Sequence, residues 1–145
     1  MGVILDSSIL IAYERRRFDL ERLLMDHSPP AIAGITAAEL LIGVELADTP
    51  QRRARRASFV ENIFARVSII PFGLSQAQLF AVHFAVHFAV HFAELTRRGE
   101  TIGDRDLQIA VTALSLEYQL ATLNLREFQR VTGLKLVDVA GYTVA

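Results

Sequence analysis

Four acidic residues of this 145-residue chain, Asp6, Glu39, Asp104 and Asp106, are of the type that holds a hard cation. Each stands at the edge of a predicted element. Asp6 follows the first apolar run, Glu39 lies in the first turn of a helix after the second run, and Asp104 and Asp106 flank the start of a later helix. Carboxylates gathered at one point repel one another and stay ionised when a cation sits among them, which points to Mg²⁺ or Mn²⁺ held by oxygen ligands and water. An ion so placed orients a water, helps deprotonate it and stabilises charge gathering on a phosphoryl group, as hydrolysis of a phosphodiester requires. Ser7, Asn124 and Arg126 lie beside the same element ends and are the candidate substrate contacts. The acids also have capping roles open to them: Asp6 for a helix beginning at Ser8, Glu39 in a Thr-x-x-Glu box with Thr36, and Asp104 as an N-cap.

The elements that must position these side chains can be read from the apolar pattern. Short apolar runs at Gly2–Leu5, Ala31–Ile35, Ser68–Phe72 and Gln119–Leu123 read as strands, with a fifth candidate at Lys135–Val137. Helices are expected at Ser8–Ala12, at Asp19–Met25 before Pro29-Pro30, from Thr36 onward, from Pro50 through the arginine cluster, after Ser75 as far as Arg98, and over Arg105–Tyr118. Buried strands alternating with helices predict an α/β fold, a parallel sheet covered on both faces in three layers, as a single domain over residues 1–145. In such a sheet the carboxyl ends of the strands and the following helix starts face one crevice, where ligands bind. Three or four of the carboxylates are therefore expected to converge.

Composition narrows the partners. The chain is 52% hydrophobic, has no cysteine, and sets 15 basic residues against 16 acidic ones. Disulfides, thiolate metal sites and a polybasic tail are excluded. Positive charge is nevertheless clustered, at Arg15–Arg17 and over Arg52–Arg56, where it would track phosphates, meet an acidic partner or solvate a helix face. The five-residue apolar start runs directly into Asp6, and the apolar run Leu79–Ala93 is shorter than the ~20 residues needed to span a bilayer. A cytoplasmic location with no membrane contact is expected.

Residues 81–92 repeat Ala-Val-His-Phe three times. The flanking residues favour helix over strand. On a helix, Phe80, Phe84, Phe88 and Phe92 form one slanting stripe and His83, His87 and His91 another. A helix so apolar is expected to be buried against something, and two extra copies add ~12 Å of length and about 80° of rotation. A homodimer or higher homo-oligomer built through the 80–92 segment is the expectation. The histidines lack an acidic or thiolate companion within the run and are read as passive.

With these pieces in place the chain resembles PIN-domain ribonucleases of the VapC toxin type. The resemblance rests on Val3-Ile4-Leu5-Asp6-Ser7-Ser8, Ile35-Thr36-Ala37-Ala38-Glu39-Leu40, Ile102-Gly103-Asp104-Arg105-Asp106-Leu107-Gln108-Ile109-Ala110 and Thr122-Leu123-Asn124-Leu125-Arg126-Glu127-Phe128, in the family's order. It implies that Asp6, Glu39 and Asp106 are the acidic metal ligands, that Asp104 is an additional carboxylate ranked below Asp106, and that Asn124 stands where many PIN domains have a fourth acid. It further implies Mg²⁺- or Mn²⁺-dependent endonucleolytic cleavage of RNA by a metal-activated water. A VapB-like antitoxin that inserts a C-terminal segment near the acids and a toxin that dimerises are implied as well. The repeat is longer than the family's usual segment, and the tryptophan often found near the C-terminus is missing. Three alternatives stay open: a PIN-fold protein that docks RNA or a partner without cutting, a repeat-lengthened variant with altered oligomerisation, and a phosphatase or DNA nuclease on a similar sheet.

Overall fold

The computed structural model describes residues 1–93 and 102–144, the side chains of 87–93 excepted. Four short strands, β1 (Val3–Leu5), β2 (Pro30–Ala33), β3 (Ser68–Ile70) and β4 (Gln119–Ala121), form one sheet in the order β3-β2-β1-β4. All three pairings are parallel, with Ile4 opposite both Ala31 and Leu120. The expected fifth strand is reduced to an isolated bridge between Leu120 and Leu136.

Side-chain alternation sends each strand into two cores. Val3, Leu5, Ile32 and Ala121 face one apolar cluster, and Ile4, Ala31, Ala33 and Leu120 face the other. Helices α1 (Ser7–Glu14), α2 (Leu20–Asp26), α3 (Gly34–Glu45) and α4 (Pro50–Arg66) cover the first through Ile9, Leu10, Leu20, Leu23, Ala37 and Ile63. Helices α6 (Asp104–Leu116) and α7 (Leu125–Phe128) cover the second, with Leu79 and Phe80 of α5 (Leu74–Ala93) packed alongside. The handedness of parallel crossovers accounts for this division. The chain moves outward from β1 to β2 and β3 with its helices on one face, then returns past β1 to β4 with α5 and α6 on the other.

Local signals fix most helix starts. The side chains of Asp19 and Thr49 accept from the backbone N–H of Arg22 and Arg52, capping α2 and α4. The three capping roles open to the site acids are not used. Helix α3 begins at Gly34 behind Ala33, so Thr36 is already its third residue and no box forms with Glu39, which lies in the second turn. Asp6 occupies the N-cap position of α1 without a side-chain cap, and Gly103, not Asp104, precedes α6.

Helix α5 runs through the repeat as expected as far as Ala93; the expected continuation to Arg98 lies outside the described residues. Its start is tied to α6, because the buried Gln76 donates to Ser115 Oγ at 3.0 Å and accepts from Gly73 N at 3.0 Å. Further along, Val82, Phe84 and Val86 are exposed, so within the described part the repeat is not enclosed by its own chain. No described helix is long and apolar enough to cross a membrane.

Phe128 is fully buried and pins α7, with the preceding Asn124 turn, against the second core. Phe128→Ala is expected to lower the unfolding free energy by about 3–5 kcal/mol in a urea titration. A loss below ~1 kcal/mol would show that α7 is not held by this contact.

Candidate active site

The carboxylate of Asp6 is wholly buried at the end of β1, where the strand order turns back on itself. Its backbone N–H donates to Ala121 O at 3.0 Å, which fixes it against the end of β4. Two hydroxyls hold its Oδ2: Ser8 Oγ donates at 2.7 Å and Thr122 Oγ1 at 2.8 Å. These hydroxyls accept in turn from the backbone N–H groups of Leu123 and Asn124, each at 3.0 Å. One oxygen of Asp6 is therefore locked in place, while the buried Oδ1 has no hydrogen-bond partner and is turned to a single cation.

That cation is Arg105. Its Nη2 lies 3.5 Å from Asp6 Oδ1, its Nε 2.5 Å from Glu39 Oε2 and its Nη1 2.5 Å from Asp106 Oδ1. Nη2 also donates to Ser7 Oγ at 2.6 Å. Acids from β1, α3 and α6 thus meet around one planar guanidinium. A second buried carboxylate oxygen, Glu39 Oε1, also lacks a hydrogen-bond partner.

The electrostatics follow from three negative groups facing one positive group. Burial pushes the Asp106 carboxyl above its ordinary value; Arg105 draws it back down, while Asp6, Glu127 and Glu39 add to the rise. For Arg105 burial works against the charged form, but the neighbouring Glu39, Asp6 and Asp106 outweigh it and the guanidinium is held above its ordinary value.

The site brings together Asp6, Ser7, Glu39 and Asp106 from the candidates. Asp104, the first residue of α6, is exposed and does not join the acids around Arg105. Asn124 enters through its backbone N–H, and its exposed side chain makes no cap for α7. Arg126 is exposed in the first turn of α7. Sequence reasoning missed Arg105, Ser8 and Thr122. Arg105 sits between two singled-out acids, and a cation inside an acidic motif is the signal that would have found it.

Among the described residues, no three acidic or histidine side chains are spaced to hold a metal ion. The donors nonetheless suit a hard divalent ion in kind: three carboxylates, two with buried, unpartnered oxygens. Their present spacing is that required by a guanidinium.

Beside the acids a cavity of 260 Å³ runs between α1, α3 and α4, lined by Ser7 and Glu39 at one end and by Arg15, Arg56 and Phe59 further along. The arginine cluster is partly neutralised. Arg52 pairs with Asp48 at 2.7 Å, Arg53 pairs with Glu45 at 3.0 Å, and Arg56 donates to Gly43 O at 2.8 Å.

The PIN domain family model matches residues 3–134. The chain is similar to the Ribonuclease VapC1 of Rickettsia felis, 32% identical over 140 residues that cover 97% of this chain and 98% of that one. It is 33% identical over 118 residues to a tRNA(fMet)-specific endonuclease VapC of Salmonella typhimurium, covering 81% of each. Among solved structures it is similar to VapBC2 from Rickettsia felis bound to a DNA fragment from their promoter. There the TM-score is 0.74 at 26% identity, covering 94% of this chain and 98% of that one.

A carboxyl whose folded pKa is raised binds its proton more tightly in the folded than in the unfolded state, so its contribution to stability is lost as pH rises through the folded pKa. For Asp106 that window opens near the ordinary value of 3.8 and extends upward. Without divalent cations, the unfolding free energy of the wild type minus that of Asp106→Asn is expected to fall as pH rises through this window. A difference that stays level or grows would contradict the burial argument.

Proposed function

We propose a mechanism from the premise that this chain belongs to the PIN-domain family, in the branch of the VapC ribonucleases. It is a nuclease of the toxin type, and we infer that it hydrolyses RNA phosphodiester bonds with Mg²⁺ or Mn²⁺ as cofactor. The observation that carries this reading is the meeting of Asp6, Glu39 and Asp106, far apart in sequence, around one cationic position at the switch point of the sheet.

In this reading Asp6, Glu39 and Asp106 hold the divalent ion. When bound, the ion polarises a water and stabilises charge on the phosphoryl group. The rest belongs to the protein. Ser8 and Thr122 fix one Asp6 oxygen so that the other points into the site. Asp106, whose carboxyl burial pushes up while no ion is present, would be held ionised as a ligand once the ion is bound. Ser7, which accepts from Arg105 at the cluster, and Asn124 and Arg126, which follow β4, are the proposed contacts to RNA phosphates.

A VapB-like antitoxin is the proposed partner, as the VapBC assemblies among similar structures suggest. The cavity leading from Glu39 past Arg15 and Arg56 suits an extended segment of such a partner. Action in the cytoplasm as one PIN domain over residues 1–145 completes the proposal. A homo-oligomer is the proposed state, supported by the exposed Val82, Phe84 and Val86 of α5.

Cleavage of RNA and DNA oligonucleotides in Mg²⁺ or Mn²⁺ tests the reading. RNA should be cut by the wild type, and Asp6→Asn, nearly the same in shape, should be slower by at least ~100-fold. Chelation should abolish activity in the same way. Cleavage that survives either change, or that prefers DNA, would overturn it.

A further inference from the structure

We propose that Arg105 is an internal counter-cation that competes with the divalent ion for the acidic site, so that ion binding requires its guanidinium to leave the carboxylates. The inference rests on the metal reading above and goes beyond it, from which residues hold the ion to what the ion must displace.

Geometry carries the argument. Arg105 makes close contact with all three acids at once, through Nη2, Nε and Nη1, and Ser7 Oγ takes a further bond from Nη2. The three carboxylates are therefore spread over three different nitrogens of a planar fork. This explains why donors of the right kind are not spaced for a metal ion among the described residues. Two buried oxygens without a hydrogen bond mark the other side of the balance: Asp6 Oδ1, which meets Arg105 only at 3.5 Å, and Glu39 Oε1. A planar, singly charged fork cannot saturate three carboxylates, and it leaves buried acceptors that a compact divalent ion would satisfy.

Arg105 is also free to leave. Its side chain retains 36% exposure, whereas Asp6 is completely enclosed. It projects from the second residue of α6, beside the exposed Asp104, so rotation of its side-chain bonds can carry the charge toward solvent without moving the helix. Arg105 is thus a positioning residue with two effects. It keeps mutually repelling carboxylates together when no ion is present, and it weakens the site's hold on an ion.

The test is calorimetric titration of Mn²⁺ into metal-free wild type, Arg105→Gln and Arg105→Lys, with the melting temperature of each measured in chelator. Arg105→Gln should bind Mn²⁺ at least tenfold more tightly than wild type and melt at a lower temperature without metal. Arg105→Lys keeps a positive charge but not the three-way fork. It should lie between the two in affinity, and it decides the matter if the glutamine variant does not fold. Equal or weaker Mn²⁺ binding by these variants would overturn the competition while leaving the metal reading intact. Absence of Mn²⁺ binding in all three proteins would overturn both.

Discussion

A carboxylate removed entirely from solvent must be compensated where it sits, and that requirement at Asp6 governs the arrangement around it. Compensation comes in two layers. Two hydroxyls, themselves held by backbone N–H groups of the loop after β4, satisfy one oxygen, and the positive charge of Arg105 faces the other. The first layer ties β1 to β4 at the carboxyl edge of the sheet. The second draws in Glu39 and Asp106, because a guanidinium partly shielded from water is stabilised by further negative groups around it.

The fold supplies the meeting place. With the order β3-β2-β1-β4, helices leaving β1 and β2 cover one face while the return to β4 covers the other, so the loops diverge above β1 and leave room at its end. Asp6 is the first residue beyond β1, Glu39 reaches in from the second turn of α3, and Asp106 from the first turn of α6. Strands of three or four residues suffice, because both faces of the sheet are packed with apolar side chains from the helices.

Much of this was legible in the residue pattern, and the misses have physical causes. Apolar runs marked the four strands to within two residues, since a strand buried on both faces has little room for polar side chains. Thr36 and Glu39 have the spacing of a capping box, but β2 ends at Ala33 and the helix starts at once, which releases Glu39 for the site. Asp104 and Asp106 look alike in sequence. Helical geometry turns Asp106 inward beside Arg105 and leaves Asp104 in solvent. Arg105 is hidden in the acidic pattern because carboxylates at helix starts signal a metal set, whereas the chain supplies a positive charge of its own among them. The apolar repeat suggests a buried helix, yet Val82, Phe84 and Val86 lie exposed on α5, because residues repeating every four positions drift around the helix and cannot all face one core.

The central claim is that Asp6, Glu39 and Asp106 share one cation position. Crystals grown with Mn²⁺ and measured near the manganese absorption edge test it most directly. The account predicts an anomalous peak within coordination distance of all three carboxylates, with the Arg105 guanidinium displaced from its present contacts. A peak bound elsewhere, or no peak in crystals soaked at saturating Mn²⁺ with Arg105 still among the acids, would contradict it.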